Sequence, residues 1–243
     1  MIEDIKGKKY KVPDKFVKYL LDYYLKRNNS MRKFLDKPKS KKYKKIVRAV
    51  RGMLHKITGA YFSKKRGLEK HASSRERMEF YNALYKKIFK ITGKPKSILD
   101  LGCGLNPLSY GLMDVNAKYY AYDLDEMNID EVKQYFIKNK IEGKAEVANL
   151  LEEKTFEKTD IAFLFKLLDI IDFKGHKNAE ELIRKLKSDW IVVSFSTLTL
   201  GRRRMSHPRR GWFEVMIERL RLSYTKFSEK NEVFYVIRNT QLL

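Results

Sequence analysis

The sequence predicts an α/β chain: a mostly parallel sheet preceded by an all-helical segment. Three observations point there. Apolar residues recur at three- and four-residue spacing through the first part of the chain. Short apolar runs then alternate with helical stretches, the rhythm of a parallel sheet covered on both faces. The chain closes on two strands separated only by Glu229, Lys230 and Asn231, which reads as an antiparallel hairpin.

The elements follow in order. Pro13 can open a helix in which Phe16, Tyr19, Leu20, Tyr23 and Tyr24 share one side, ending near Asn28 and Asn29. Ile46, Val47, Val50, Met53, Leu54 and Ile57 form a second stripe, with Lys44, Lys45, Arg48, Arg51 and Lys56 on its flanks and rear. A third helix is expected over 73–92. Ser73 and Glu76 have the form of a capping box, and Met78, Tyr81, Leu84, Tyr85, Ile88 and Phe89 keep the period. Gly93 and Pro95 stop it, which places a boundary between a helical domain, 1–95, and an α/β domain, 96–243. Strands are expected at 97–101, 117–122, 144–147, 161–165, 190–195, 223–228 and 232–238, with helices over 125–139 and 176–187.

Charge divides the chain at the same place. The chain carries 53 Lys and Arg against 30 Asp and Glu, and residues 1–96 hold 30 of the former and 8 of the latter. Nearly all the excess therefore sits in the helical part. A polyanion with condensed counterions rewards such a segment, and an acidic membrane surface is the competitor. No apolar run of about 18 residues occurs, so no spanning helix is expected and the protein reads as soluble and cytoplasmic. Cys103 is the single cysteine, and His55, His71, His176 and His207 lack metal-ligand spacing, so neither a disulfide nor a metal site is expected.

The chemistry is expected at the first strand's end, where Gly102-Cys103-Gly104-Leu105-Asn106-Pro107 makes a glycine turn after a buried run. A side chain there would keep a ligand off the backbone. A dinucleotide fingerprint needs a third glycine where Pro107 stands, which disfavours a pyrophosphate. S-adenosylmethionine carries no phosphate and suits the turn better. Asp100 is expected near its ammonium, Gly102 and Gly104 give backbone access, and Asp123 ends the second strand where a ribose needs an acceptor. Asn149 follows the third strand and can meet adenine through its oxygen or its NH2, with Leu124 and Leu150 completing the expected cofactor set. Cys103 has no histidine nearby to activate it and is a poor nucleophile.

With these residues assembled, the α/β part resembles a class I methyltransferase. More narrowly, the chain resembles the aminoglycoside-resistance 16S rRNA (guanine-N7) methyltransferases over residues 71–238. Four blocks carry the likeness: His71-Ala-Ser-Ser-Arg-Glu-Arg77, Leu99-Asp-Leu-Gly-Cys-Gly-Leu-Asn-Pro-Leu108, Phe165-Lys-Leu-Leu168, and Ser194-Phe-Ser-Thr197 with Met205 and Trp212-Phe-Glu214. Asp169, Asn149 and Ser196 depart from the family's proline, aspartate and proline, and the loop over 200–205 is shorter.

The resemblance implies that Arg77 reaches the cofactor's carboxylate, the alternative being an ordinary surface arginine paired with Glu76. It implies that Lys166 borders the place where methyl donor and target meet, either positioning substrate or closing an ion pair. Arg202, Arg203, Arg204, Arg209 and Arg210 form the one strongly cationic loop of the second half and are candidates for phosphate contacts, with Lys44, Lys45, Arg48 and Arg51 as the second RNA-binding group. The function implied is methylation of ribosomal RNA, at guanine N7 of the small subunit, by a monomer whose partner is that RNA or subunit. Guanine N7 needs no deprotonation, so no general base is nominated; an exocyclic amine target would draw attention to Asp169. A non-catalytic RNA-binding or assembly protein on the same fold is the rival, followed by methylation of a protein or small molecule.

Overall fold

The computed structural model describes residues 1–7, 10, 12–55, 57, 76–172, 175–198, 203–205 and 208–240. The expectations for Ser73, His71, Lys56, Arg202 and His207 lie outside the described residues.

The chain begins with a helical unit. Helix α1 spans Ile2–Lys6, α2 spans Asp14–Arg27 directly after Pro13, and α3 spans Lys41–Leu54. Ser40 caps α3 by accepting the Tyr43 N–H at 3.1 Å, and α2 places Asp14 in its first turn and Lys26 and Arg27 in its last, matching the helix dipole. Ile5, Val17, Leu20, Ile46, Val50 and Leu54 close a small core between the three helices. Arg51 donates from Nε to the Ile5 carbonyl at 3.0 Å and from its fork to the Asp4 carbonyl, so it ties α1 to α3.

The third helix is α4, Tyr81–Thr92, and it belongs with the sheet. Tyr81, Leu84, Tyr85 and Ile88 pack with Ile98, Tyr119 and Phe163, so a boundary at 95 would strip a covering helix from the sheet. The expected single helix over 73–92 is also interrupted: residues 79–80 form a turn, Phe80 is buried, and Met78 is 43% exposed rather than part of the buried stripe. Hydrophobic period alone does not show which core a helix joins.

The sheet has seven strands: β1 Ser97–Leu101, β2 Lys118–Asp123, β3 Gly143–Val147, β4 Ile161–Phe165, β5 Trp190–Ser196, β6 Ser223–Glu229 and β7 Glu232–Arg238. Their order is β3-β2-β1-β4-β5-β7-β6, parallel through β5 and antiparallel at β7 and β6. Alternate residues feed two layers. Ile98, Ile161 and Phe163 face α4 and α5 (Glu126–Asn139), while Leu99, Ala162 and Leu164 face α6 (Leu168–Ile171), α7 (Lys177–Lys185) and α8 (Gly211–Arg219). The order reverses between β1 and β4, which is where a crevice opens at the carboxyl ends of the strands. Among the described residues no helix is long and apolar enough to cross a membrane, and no group of three or more metal-ligating side chains occurs.

Candidate functional site

The carboxyl ends of β1, β2, β3 and β4 converge on one cavity. Arg77, Gly102, Gly104, Asp123, Leu124, Asn149, Leu150 and Lys166 all line it. Phe16 of α2 and Ile57 complete the wall from the helical unit, and Lys15 pairs with Glu152 at 2.8 Å across the same junction.

The glycine turn is shaped by sterics. Gly102 has φ +63, and a Cβ there would lie 2.7 Å from Leu167 Cδ1; Gly104 has φ +51. A side chain at the first position would be strained at that φ and would have to displace the tip of Leu167. Asp123 holds the turn, accepting the Gly104 N–H at 2.8 Å on Oδ2 and the Asp125 N–H at 2.8 Å on Oδ1. Burial pushes its carboxyl upward against these hydrogen bonds. Asp125, which caps α5 by accepting the Met127 N–H, is pushed up to about 6 by burial and then by Asp123 beside it. Cys103 is buried and its thiol is pushed well up by that burial, which agrees with an unreactive sulfur.

Asn149 carries the most telling detail. Its Oδ1 accepts the Leu151 N–H at 3.3 Å, which fixes the amide's orientation, and its Nδ2 is a buried donor with no partner among the described residues. A donor left unmade in a protein interior costs on the order of 1–3 kcal/mol, so the free side of this amide is an NH2 awaiting an acceptor. Of the two groups the sequence offered, the oxygen spends one lone pair on the Leu151 N–H and the NH2 is spent on none among the described residues.

Asp100 is placed differently from expectation. It is 1% exposed beneath the turn, is not on the cavity wall, and accepts from Tyr119 Oη at 2.6 Å and Asn106 Nδ2 at 2.8 Å. Asn106 in turn accepts from Tyr81 Oη at 2.9 Å. Asp100 therefore anchors the loop from below through Asn106, and burial pushes its carboxyl up to about 6.

Arg77 and Lys166 reach the cavity as one charged group. Arg77 is 2% exposed, lies over the Phe165 ring at 4.7 Å, and donates from Nε and Nη2 to both oxygens of Glu232, at 3.0 and 2.8 Å. Lys166 Nζ lies 2.6 Å from Glu76 Oε2 and 3.3 Å from Glu232 Oε2. Ser194 also donates to Glu232. Burial alone would push the Glu232 carboxyl upward; Arg77 and Lys166 more than offset it, so the group stays ionised. Glu232 starts β7, and nothing in the sequence near it signals a partner 155 residues away.

The expected RNA-binding residues separate. Lys44, Lys45 and Arg48 are exposed on α3, and Arg203 and Arg204 are exposed in the loop after β5. Arg51 is engaged by α1 as described above. Arg209 pairs with Glu214 at 2.6 Å. Arg210 is 8% exposed, reaches Asp169 Oδ2 at 2.8 Å and lies over the Phe195 ring, so it braces the loop rather than meeting a phosphate. Asp169, the departure from the family's proline, is that arginine's partner.

Residues 60–236 match the model of a family described as ribosomal RNA methyltransferase (FmrO). A protein of Micromonospora echinospora named 16S rRNA (guanine(1405)-N(7))-methyltransferase is 31% identical over 179 residues, 72% of this chain and 65% of that one. One of the same name from Frankia casuarinae is 29% identical over 178 residues, 71% of this chain and 63% of that one. The chain thus spans slightly less than two thirds of the length of these relatives. Among solved structures, the 16S rRNA methyltransferase RmtF in complex with S-adenosyl-L-homocysteine superposes with a TM-score of 0.79 at 25% identity, covering 98% of this chain and 96% of that one. The 16S rRNA methylase RmtB gives 0.78 at 25% identity, covering 98% of each. With its seven-stranded sheet, its glycine turn and a family match that takes in Arg77, Gly102, Asp123, Asn149 and Lys166, the chain belongs to the ribosomal RNA methyltransferase (FmrO) family.

Proposed function

We propose that this protein is an S-adenosylmethionine-dependent methyltransferase acting on small-subunit ribosomal RNA at guanine N7. One observation carries the reading: a glycine turn, the strand-end Asp123 and the unpaired NH2 of Asn149 share one cavity with Lys166. The relatives named for this reaction and the family match support it.

The residues present fit the cofactor. Asn149 Nδ2 offers a donor to an adenine ring nitrogen, and Leu124, Leu150 and Leu167 offer apolar walls for the base. Asp123 keeps lone pairs for ribose hydroxyls beyond the two it spends on backbone N–H groups. Arg77, held over the Phe165 ring and paired with Glu232, is the group for the amino-acid carboxylate. When bound, S-adenosylmethionine supplies an electrophilic sulfonium methyl group.

Everything else falls to the chain. Guanine N7 carries an in-plane lone pair, so the protein has to place the base and exclude water rather than remove a proton. Phe16, Leu167, Ile170 and Ile171 give the cavity apolar walls, and Lys166, fixed by two carboxylates, is the positioning residue in it. Lys44, Lys45 and Arg48 supply phosphate contacts from the helical unit, with Arg203 and Arg204 nearer the sheet.

The test is transfer of labelled methyl from S-adenosylmethionine to purified small ribosomal subunits, run beside calorimetry with S-adenosylmethionine alone. Binding with transfer is expected. RNA binding with no measurable cofactor affinity would instead favour a non-catalytic protein on this fold.

A further inference from the structure

The helical unit meets the sheet body at a narrow junction. Helices α1, α2 and α3 pack chiefly on one another. From the body, Leu124, the residue after Asp123, packs against the helical core, and Glu152 pairs with Lys15 at 2.8 Å, the two side chains being 29% and 78% exposed. The cofactor cavity opens at this junction. Phe16 and Ile57 line it from the helical unit, and Asp123, Leu124, Asn149 and Leu150 line it from the body. A nucleoside held by Asp123 and Asn149 therefore lies against both regions and adds its apolar contacts to theirs.

The helical unit also transmits what happens at Phe16. Phe16, Val17 and Leu20 of α2 share one core with Ile46, Val50 and Leu54 of α3, and Arg51 ties α3 to α1. Phe16 and the exposed Lys44, Lys45 and Arg48 thus belong to one packed body. The exposed Arg204 belongs to the other, in the loop after β5. An RNA that reaches both sets of cations spans the same junction as the cofactor. Two ligands that favour the same placement of two bodies strengthen each other's binding, and by linkage the factor is the same in both directions.

We infer that Phe16 and Ile57 are cofactor-contacting residues supplied by the RNA-binding unit, and that through them the cofactor and ribosomal RNA each bind more tightly when the other is present. The inference rests on the methyl-transfer reading above and adds a regulation to it: the chain grips RNA best when it carries a cofactor. It gives Phe16 a task beyond the core of α2 and α3, and it makes the exposed Lys15–Glu152 pair a latch of the coupling.

The test uses the full chain, S-adenosylhomocysteine and purified small-subunit ribosomal RNA. S-adenosylhomocysteine keeps the nucleoside but has an uncharged sulfur, so it brings no net charge to attract phosphates. Saturating S-adenosylhomocysteine is expected to tighten RNA binding about 10-fold, and saturating RNA to tighten S-adenosylhomocysteine binding by the same factor. Phe16→Leu, which keeps an apolar side chain in the helical core, should weaken S-adenosylhomocysteine about 5-fold. Lys15→Glu sets two carboxylates against each other across the junction and should cut the coupling to about 3-fold; adding Glu152→Lys should bring it back. The coupling is a ratio within one protein, so a variant's general effect on RNA affinity drops out of it.

Wild-type affinities that are independent to within about 2-fold overturn the inference, and so does a coupling that Lys15→Glu leaves unchanged. Independent binding beside normal methyl transfer to small subunits would sink this inference alone. No measurable S-adenosylhomocysteine binding would sink the methyl-transfer reading together with it.

Discussion

Lys44, Lys45 and Arg48 on α3 stand exposed to solvent, whereas Arg77, Lys166 and Arg210 in the α/β body are buried and each faces a carboxylate. The contrast is one of energetics. A buried cation is tolerated only with its desolvation offset by a partner, so it becomes part of the framework and its loss is felt as instability. An exposed cation contributes little to folding and is available to a polyanion, so its loss is felt as affinity. The same two residue types thus do different work in the two regions, and the cavity sits where the regions touch, with Phe16 and Ile57 from one and Asp123 and Lys166 from the other.

The contrast is broken most directly at Glu232. Glu232→Ala leaves Arg77 buried and unpaired and is expected to cost about 3–5 kcal/mol of stability, measured by denaturant unfolding. A loss below about 1 kcal/mol would mean that the buried group is not structural.

Glu214 sharpens the pH side of the comparison. The Lys226 hydrogen bond, acting against burial and helped by Arg209 and Tyr235, holds its carboxyl down at about 2, against an ordinary value near 4.5. Because the folded value is depressed, this stabilisation is present above about pH 4.5 and disappears as pH falls from there toward 2. Glu214→Gln should therefore cost about 2 kcal/mol at neutral pH and flatten the acid limb of a stability profile. An unchanged acid limb would remove Glu214 from the account.

Asn149→Leu asks whether the cavity wall is built for a ligand or for the fold. Cofactor affinity by calorimetry should fall about 10-fold, while stability changes by less than about 1 kcal/mol because removing a buried donor without a partner among the described residues offsets the loss of the long Leu151 N–H bond to Oδ1. The reverse pattern would make Asn149 a turn residue only.

The smallest effect on folding and the clearest on binding belongs to α3. Replacing Lys44, Lys45 and Arg48 by Gln should leave stability within about 0.5 kcal/mol and make RNA binding about 10-fold weaker, with a shallower dependence on salt. Equal affinity at every salt concentration would remove α3 from the interface.

Much of this was legible in the sequence, and the reasons are local. β1, β2, β4, β5 and β7 were visible as short apolar runs, and the glycine turn, Asp123 and Asn149 sit at strand ends, where topology alone brings them together. What was not legible depends on contacts across the chain. The Tyr81 stripe of α4 looks the same whether it packs on a helix or on a sheet. Asp100 reads as a cavity residue until Asn106 and Tyr119 are seen to take its oxygens. The arginines of the loop after β5 read as one basic group, yet Asp169 withdraws Arg210 and Glu214 engages Arg209, from positions 41 and 5 residues away. Glu232, which faces both cations of the cavity, carries no local signal, and Glu76 reads in the sequence as a capping-box residue rather than as the partner of Lys166.

The central claim is that a cofactor cavity and an exposed basic helical unit in one chain deliver a methyl group to ribosomal RNA. Mass mapping of small-subunit RNA after incubation with the protein and S-adenosylmethionine tests it most directly. The account predicts one added methyl on a single guanine, located by its fragments at N7. RNA of unchanged mass, with the protein folded and the cofactor bound, would contradict it.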